Sequence, residues 1–475
     1  MKILSNILLI TVILLFTACD EDALLDLNID PNNPTSVPAV NLVTQGQYSL
    51  YASLHSRGYN AEMSMLMVQH WAQNEYGEES RYLLDANSFD GLWTDFYASV
   101  LNELTVAKNM ISENEDIPSS RKGNQLAIVD IMIADAYHSI TDGWGAIPYS
   151  QAINSEFPNP TYDSQEAVYS GILSSLDNAL VSLDANGDSF TSGDIIYGGD
   201  VAAWKKLGAS LMMRMAMRIS DVDAAKASEY FIKGMNYGPL ESNADNALFQ
   251  FDPNPEVANP LFIDASIDNR DDFAVSDVLI NKLIELRDPR LPSYAEVTNS
   301  GEYAGIPYGL TDAEAFALKS LTSRPSEAVR AADAPHVVMD FAEVSFLMAE
   351  AVERGFISGD AEQFYNAGVR ASLDYWGYAE EADTYIENNP YDAANWKASI
   401  GDQKWLAFYM NGPQAWAEWR RLDYPQLDVP VAAVIAVIPV RLPYPISEET
   451  RNGSSLSSIT SDINDLGTRL WWDVQ

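Results

Sequence analysis

Two stretches of the chain interleave aromatic rings with amide, carboxylate and guanidinium groups. One is WAQNEYGEESRY, from Trp71 to Tyr82, and the other is an irregular region within Asp252 to Leu310. Aromatic faces pack against the apolar C–H face of a sugar ring, and the polar groups bond its hydroxyls. The pattern therefore predicts a carbohydrate-binding surface, although Trp71 can equally be the last core residue of its helix. The candidate contact residues are Trp71, Asn74, Tyr76, Arg81, Tyr82, Phe262, Arg270, Asp272, Phe273, Tyr303 and Tyr308.

Residue patterns for catalysis are missing from the sequence. The four histidines are dispersed without zinc-site spacing, and no GxSxG elbow, phosphate-binding loop with lysine or dinucleotide fingerprint occurs. We therefore predict a protein that is not an enzyme and has no cofactor. A surface glycoside hydrolase stays open as the alternative, because it needs only two suitably spaced carboxylates and the chain has 68 acidic residues.

One acidic segment resembles part of a calcium-binding loop. Asp184, Asn186, Asp188 and Asp194 offer oxygen ligands at mostly alternate positions. Ser189 replaces the glycine that such a loop requires, and Ile195 stands where its bidentate glutamate belongs. We interpret the segment as an Asp- and Asn-rich turn between helices and keep calcium as the alternative.

The charge balance restricts the partners of this protein. Its 28 basic and 68 acidic residues give a formal net charge of −40. Nucleic acid is excluded, because binding to phosphates needs clustered Lys and Arg. Anionic glycans would be repelled at long range, so neutral ligands are favoured, and a neutral β-glucan such as laminarin is our expectation from charge alone.

The amino terminus has the features of an exported and lipidated protein. Residues 1–18 combine Lys2, an apolar run of about ten residues and a small-residue end, which indicates a signal peptide rather than a membrane span. The only cysteine, Cys19, follows directly, and we expect it to carry acyl chains such as palmitate. Residues 19–40 then form an acidic, Pro-rich tether.

From residue 41 to 475 we predict a single, mainly α-helical domain. Apolar residues recur at helical spacing in paired segments that end at Gly or Pro, which is typical of tetratricopeptide-like helix hairpins. Long irregular insertions interrupt them. The predicted helices are Leu42–Leu54, Met63–Gln73, Phe89–Ile111, Gln125–Ile140, Gln165–Leu183, Trp204–Ile219, Ala224–Met235, Phe341–Arg354 and Ala361–Leu373.

Most large aromatic and basic residues of these helices have a structural interpretation. Tryptophans in a helical pattern are far more often core residues than ligand platforms. Arg214 and Arg218, one turn apart, are expected to pair with carboxylates. The tryptophans predicted to lie in the core are Trp93, Trp204, Trp405, Trp416 and Trp419.

An ordered series of motifs resembles the SusD/RagB family of Bacteroidetes nutrient-binding outer-membrane lipoproteins, in particular its SusD-like branch. The series extends over nearly the whole chain after Cys19. Its members are DGWGAIPYSQA, YGGDVAAWKKLGASLMMRMAMRIS, NRDDFAVSDVLINKL, RDPRLPSYA, YAGIPYGL, VVMDFAEVSFLMAEAVERG, QKWLAFYMNGPQAWAEWRRLDYP and RLPYP.

The resemblance implies a function as well as a fold. It implies a tetratricopeptide-like scaffold, a ligand site in loops, and a lipid-anchored protein exposed on the outer-membrane surface. It also implies a partner, a SusC-type TonB-dependent transporter, to which captured oligosaccharide or polysaccharide is delivered. A peptide-binding member of the same family is a further alternative.

Overall fold

The computed structural model describes residues 37–474. The signal peptide, Cys19 and most of the tether lie outside the described residues. Within them the chain is mainly helical, as predicted, and three short two-stranded sheets join distant segments. The α-helices are α1 (Ala39–Leu54), α2 (Asp90–Thr94), α3 (Asn102–Glu113), α4 (Ser119–Trp144), α5 (Gln165–Ser182), α6 (Val201–Arg218), α7 (Ala224–Tyr237), α8 (Pro260–Phe262), α9 (Asp277–Leu286), α10 (Leu291–Tyr294), α11 (Asp312–Leu318), α12 (Phe341–Glu353), α13 (Ala361–Tyr375), α14 (Ala382–Asn388), α15 (Trp396–Ala407), α16 (Gly412–Leu422) and α17 (Ile446–Leu456).

The remaining elements are short strands, π-helices and 3₁₀ turns. The strands are β1 (Trp71–Gln73), β2 (Ile147–Pro148), β3 (Tyr162–Asp163), β4 (Ala247–Phe249), β5 (Phe273–Val275) and β6 (His336–Met339). The π-helices are Arg57–Met65, Asp95–Leu101 and Ile263–Ile267, and the 3₁₀ turns are Glu79–Arg81, Asn243–Asp245, Lys319–Leu321, Ala328–Arg330, Ala379–Glu381 and Ala393–Asn395. All three strand pairs, β1–β5, β2–β3 and β4–β6, are antiparallel.

Consecutive helices pack in pairs. The pairs α4 with α5, α6 with α7 and α12 with α13 confirm the predicted helix hairpins, and α15 with α16 is a further pair that was not predicted. Glycine permits the close approach in two of them. A Cβ atom on Gly234 would lie 2.8 Å from the Ala209 carbonyl oxygen, and one on Gly368 would lie 2.8 Å from the Phe346 ring. A larger residue at either position would push its hairpin apart.

Side-chain caps fix where these helices begin. The carboxylate of Asp200 accepts hydrogen bonds from the backbone N–H groups of Ala202 and Ala203, and Asp340 caps α12 in the same way through Glu343. Such caps satisfy backbone donors that a helix start leaves free. The predicted bounds of α5, α6, α7, α12 and α13 are confirmed to within a few residues for this reason.

The predicted helix from Met63 to Gln73 is wrong over its second half. Helical structure stops shortly after Met65, Gln69 adopts a left-handed conformation with φ of 56°, and Trp71–Gln73 is strand β1. A short apolar run fits a buried strand as well as a buried helix. The pairing of β1 with β5, about 200 residues further along the chain, decides between them.

A network of buried charges joins four helices in the core. Arg218 of α6 lies 2.8 Å from Glu418 of α16, and Lys404 of α15 lies 2.6 Å from the same carboxylate. Arg421 bonds both Glu418 and Glu350 of α12, at 2.5 and 2.6 Å. Arg214 likewise pairs with Glu343, so both arginines of α6 bind carboxylates, as predicted. Each charge has an opposite partner, which makes its burial tolerable.

The predicted core tryptophans Trp93, Trp204, Trp405 and Trp416 are buried in the main hydrophobic core, and Trp419 packs partly buried against that core.

Between residues 37 and 474, no helix combines the length and apolar character needed to cross a membrane.

Candidate functional site

The two aromatic and polar segments predicted to form a surface do meet. Strand β1 pairs with β5, so that Trp71 lies opposite Val275 and Gln73 lies opposite Phe273. The pairing continues for one more residue, because the Asn74 N–H donates to the Asp272 carbonyl at 2.8 Å. The irregular loops are therefore held against the Trp71 to Tyr82 segment by backbone hydrogen bonds.

A small, open cleft of about 20 Å³ lies beside this pairing. Its apolar part is formed by rings and aliphatic groups, and its polar part by three arginines and three aspartates. Trp71 contributes little exposed surface, because its indole N–H donates to the Tyr409 hydroxyl at 2.9 Å and its ring packs 5.4 Å from Phe273. The lining residues are Trp71, Leu261, Asp264, Ala265, Arg270, Asp271, Asp272, Phe273, Arg324, Pro325 and Arg330.

Arg57 holds the floor of this cleft together. Its guanidinium donates to Glu62 at 2.7 Å, to Asp272 at 2.7 Å and to Asp264, and it lies 4.9 Å above the centre of the Phe273 ring. Asp272 is almost fully buried and also accepts from Arg270 at 2.7 Å. One buried carboxylate thus bridges two arginines and fixes both segments in place.

Tyr76 provides the exposed aromatic face. Its side chain is 62% exposed, and the Arg270 guanidinium lies 5.4 Å from the centre of its ring. The residue has a positive φ of 54°, in the left-handed region of backbone conformation. A guanidinium on an aromatic face is a favourable contact that orders the ring without burying it. Tyr76 is therefore available for stacking on a ligand.

Several other predicted residues lie beneath this surface. Tyr82, a candidate contact residue, is buried, which does not fit a ring that stacks on a ligand at the surface, and its hydroxyl accepts a hydrogen bond from Gln69. Tyr308 is half-buried and donates to the Leu66 carbonyl at 2.7 Å. Asn74 is buried too. These groups shape the loops that carry Tyr76, and direct ligand contact by them stays a prediction.

Three more predicted residues lie at the margin. Arg81 donates to the Gly77 carbonyl at 3.1 Å and lies 3.8 Å from Asp312. Phe262 and Tyr303 are half-buried, and Tyr303 packs against the core. Burial raises the pKa of the Tyr303 hydroxyl, which stays neutral at ordinary pH.

The sequence interpretation did not find five charged residues of the site. Arg57 and Asp264 come from two of the three π-helices, Arg57–Met65 and Ile263–Ile267, and no local pattern predicts a π-helix. Asp271 and Arg324 face each other at 2.6 Å across the cleft, and Arg330 pairs with Glu296. Only the sequence NRDD, directly before Phe273, marked part of this cluster.

The arrangement favours binding over hydrolysis. A glycoside hydrolase needs one carboxylic acid and one free carboxylate that reach the substrate. Burial raises the pKa of Asp264, but Arg57 bonds both Asp264 and Asp272 from below and occupies them. Carboxylates engaged in this way act as structural ion pairs. Arg324 and Asp271 are also paired with each other, but about a third of each side chain is exposed, so their remaining donors and acceptors can reach a bound hydroxyl.

The calcium candidates have other contacts. Asp194 accepts hydrogen bonds from the Trp204 indole N–H at 2.7 Å and from the Gln47 amide at 3.0 Å. Asp188 pairs with Arg121, and Asp184 accepts from the backbone N–H of Asn186, as in an Asx turn. Across residues 37–474, no group of three or more His, Cys, Asp or Glu side chains is placed to hold a metal ion. Calcium binding stays a prediction.

Comparison with known proteins assigns this architecture to a family. The model of a SusD-like family, described as starch-binding and associating with the outer membrane, matches residues 31–445. No curated protein sequence matches the chain.

Solved structures share the same fold over their full length. One, named as a chitin-binding protein, is 27% identical, with a TM-score of 0.80 over 91% of this chain and 100% of that chain. A SusD homolog from Bacteroides uniformis is 26% identical, with a TM-score of 0.80 over 93% and 100%. A chitin-binding SusD homolog from Flavobacterium johnsoniae is 25% identical, with a TM-score of 0.81 over 91% and 99%.

Proposed function

The chain belongs to the SusD-like family of outer-membrane-associated glycan-binding proteins, and on this premise we propose that it captures oligosaccharide or polysaccharide at the bacterial surface. It then delivers the glycan to a SusC-type TonB-dependent transporter. The observation that carries the proposal is the exposed Tyr76 ring, which contacts Arg270 at the edge of a cleft lined by paired arginines and aspartates.

The balance of charge in the cleft favours an uncharged glycan. Its three arginines, with Arg57 beneath them, face a similar number of carboxylates, so a ligand charge of either sign meets a group of the same sign. Two of the similar structures are described as chitin-binding. We therefore propose a neutral glycan of the chitin type, whose amide groups suit the same donors and acceptors, ahead of starch and laminarin.

Replacing Tyr76 by Ala is expected to weaken glycan binding by roughly 1 kcal/mol or more, the scale of aromatic packing on a ligand. Arg324→Ala should have a comparable effect, because it removes a donor at the cleft. Calorimetric titration with chitin, starch and laminarin oligosaccharides measures both effects and identifies the preferred glycan.

Tyr230 is the matched control for Tyr76. It lies on α7, outside the cleft lining, and its ring carries the Lys233 ammonium at 4.6 Å. Tyr230→Ala should bind glycan as the parent does. Unchanged glycan binding in both Tyr76→Ala and Arg324→Ala would show that the site lies elsewhere. Release of shorter sugars during incubation would support the glycoside hydrolase alternative. Binding of peptides but not of glycans would support the peptide-binding alternative.

Lipid attachment at Cys19 is proposed from the sequence and lies outside the described residues. The Cys19→Ser variant should lose its acylation site and be released as soluble protein, because acyl chains supply the membrane affinity. Fractionation of cells with labelled fatty acid measures this. A Cys19→Ser protein that stayed equally membrane-bound and surface-exposed would contradict the proposal.

Delivery requires a surface that contacts the transporter, and we place it beside the cleft. Three adjoining segments carry exposed apolar side chains there. The Val434 N–H donates to the Arg81 carbonyl at 2.9 Å, and the Gly77 N–H donates to Asp312 at 2.9 Å. The exposed apolar residues of these segments other than Tyr76, which we call the apolar rim, are Leu83, Phe316, Leu321, Val431 and Val434. Exposed apolar groups concentrated in this way are typical of protein interfaces.

Placing charges on the apolar rim should separate delivery from capture. The double variant Val431→Asp/Val434→Asp is expected to lose co-purification with the transporter while it binds glycan normally, because buried unpaired charges oppose docking. Val181→Asp, at a 71% exposed position of α5, is the matched control. Normal co-purification of the double variant would show that the rim is not the docking surface.

A further inference from the structure

A groove that shares no lining residue with the cleft runs beside α17. Its volume is about 630 Å³, against about 20 Å³ for the cleft, and lies within the roughly 300–1,000 Å³ that is usual for ligand sites. Three segments line it, namely residues 85–87, one face of α17 and residues between 457 and 464. We call this space the α17 groove.

Hydrogen bonds from backbone N–H groups hold these segments together. The Ala86 N–H donates to the Asn464 side-chain oxygen at 2.8 Å, and the Ile446 N–H donates to the Ala86 carbonyl at 3.1 Å. The Tyr444 N–H donates to the Ile463 carbonyl at 2.8 Å. The α17 groove is therefore formed before a ligand arrives, which lowers the entropic cost of binding.

The floor of the α17 groove is apolar and its walls are largely polar. Ala86 and Leu456 are buried, and Ile463 is half-buried. Most of the exposed lining residues carry hydroxyl, amide or carboxylate groups. A sugar ring has the same division, because its faces present C–H groups and its edge presents hydroxyls. The lining therefore matches a sugar without an aromatic platform.

Carboxylates make the α17 groove rich in hydrogen-bond acceptors. Asp85 and Asp462 each accept a backbone N–H at 2.9 Å through Oδ1, whereas their Oδ2 atoms have no hydrogen-bond partner among residues 37–474. The exposed Glu449 side chain makes no hydrogen bond or ion pair within the same residues. The described lining contains no Lys, Arg or His. It suits a ligand that donates through hydroxyls and repels one that carries negative charge.

We propose that the α17 groove binds an uncharged, hydroxyl-rich sugar chain, whose C–H faces pack on the floor and whose hydroxyls donate to Asp85, Glu449 and Asp462. It differs in chemistry from the cleft, where arginines supply donors and Tyr76 supplies a ring. The α17 groove is a second site, and its occupation does not depend on the glycan contact proposed at Tyr76.

Cellohexaose is the probe that tests this proposal, because it is uncharged and all its polar substituents are hydroxyls. It should bind saturably to the purified Tyr76→Ala chain, which lacks the exposed ring, as followed by calorimetry and ligand-observed NMR. A galacturonic acid hexamer carries a carboxylate on each sugar. It should bind at least about tenfold more weakly, because the carboxylates of the α17 groove repel it.

Filling the α17 groove tests the location. A Cβ atom on Gly453 would meet no atom within 4 Å, so the side chain of Gly453→Leu extends into open space. This variant should weaken cellohexaose binding at least about tenfold, the equivalent of one or two hydrogen bonds. Gly123→Leu is the matched control and should bind normally, because Gly123 is a half-buried helical glycine of α4 with the same open surroundings.

Removal of one acceptor supplies a second variant at an exposed position. Glu449→Ala should weaken cellohexaose binding about 3- to 10-fold, and circular dichroism checks that each variant is folded. Absent saturation, unchanged affinity in Gly453→Leu or Glu449→Ala, or equal binding of the galacturonic acid hexamer would overturn the proposal. Chitin binding to the parent and to Tyr76→Ala is a separate measurement, and its failure would overturn only the site proposed at the cleft.

Discussion

Replacing Glu350 by Ala is expected to destabilise the protein by about 3–5 kcal/mol, the cost of removing one partner from a buried ion pair. Glu350 is fully buried and accepts from Arg421 and from Arg354, the latter at 2.7 Å. Burial alone would raise the pKa of this carboxyl, but the two guanidinium groups lower it. The variant leaves those cations in the core without their carboxylate. Unfolding in urea, followed by circular dichroism, measures the change.

An exposed ion pair supplies the control. Arg370 and Asp383 pair on the surface, where their side chains are 50% and 77% exposed. Arg370→Ala should cost less than about 1 kcal/mol, since water and salt screen such pairs. Similar losses for Glu350→Ala and Arg370→Ala would mean that the buried network does not hold α12 and α16 together.

Lowering the pH from 6.5 to 5 is expected to reduce the free energy of unfolding by about 3 kcal/mol. Burial lowers the pKa of His55 to about 4, that of His70 to about 3, and that of His336 well below its usual value. The unfolded chain takes up protons at these histidines near pH 6.5, whereas the folded chain does not. Stability is therefore fully present above pH 6.5 and is lost as the pH falls towards 4 and below.

Buried carboxyls with raised pKa values, Asp264 and Asp135 among them, act in the opposite direction, and Asp340 has the largest such shift. Burial raises the pKa of Asp340 to about 7, so the contribution of this carboxyl to the free energy of unfolding increases as the pH falls. This gain offsets the loss of stability from about one of the three histidines. Over these four groups the change is about 1.6 kcal/mol for each histidine, because half of each unfolded imidazole is already protonated at pH 6.5, less about 1.8 kcal/mol for Asp340.

His70 offers the sharpest test of this pH dependence. Its ring bonds the Trp405 carbonyl at 2.9 Å and lies 4.7 Å from the Trp405 ring, and none of the causes of its lowered pKa is a charged neighbour. His70→Asn should make the slope shallower by about 1.4 kcal/mol per pH unit. The slope is measured by urea unfolding at several pH values. A flat profile for the parent between pH 6.5 and 5, or an unchanged slope in His70→Asn, would contradict the expectation.

The acidic surface and the buried charges have different consequences. The net charge of −40 favours solubility and weakens binding to anionic ligands at a distance. The paired charges of the core and the cleft act only at contact distance, where partners and geometry decide their contribution. Charge composition therefore predicts neutral ligands in general but does not select one glycan.

The sequence by itself determined the helical hairpins and their bounds. The 3.6-residue spacing of apolar side chains, the Asp and Ser caps and the glycines after α7 and α12 are local signals, each readable within a few residues. Two interleaved aromatic and polar segments were also visible as patterns, and their approach to one another was predicted correctly. The motif series indicated the family, which the comparisons confirm.

Only the tertiary structure decided which side chains of those segments reach the surface. Tyr76 and Tyr82 lie in one short stretch and look alike in sequence, yet the first is 62% exposed and the second is buried. Arg57 finds Asp264 and Asp272 more than 200 residues away, and Glu350 finds Arg421 by the same kind of long-range packing. Periodicity fixes the local conformation of the backbone. The burial of a ring and the partner of a charge instead depend on the contacts made by distant segments, which no local pattern encodes.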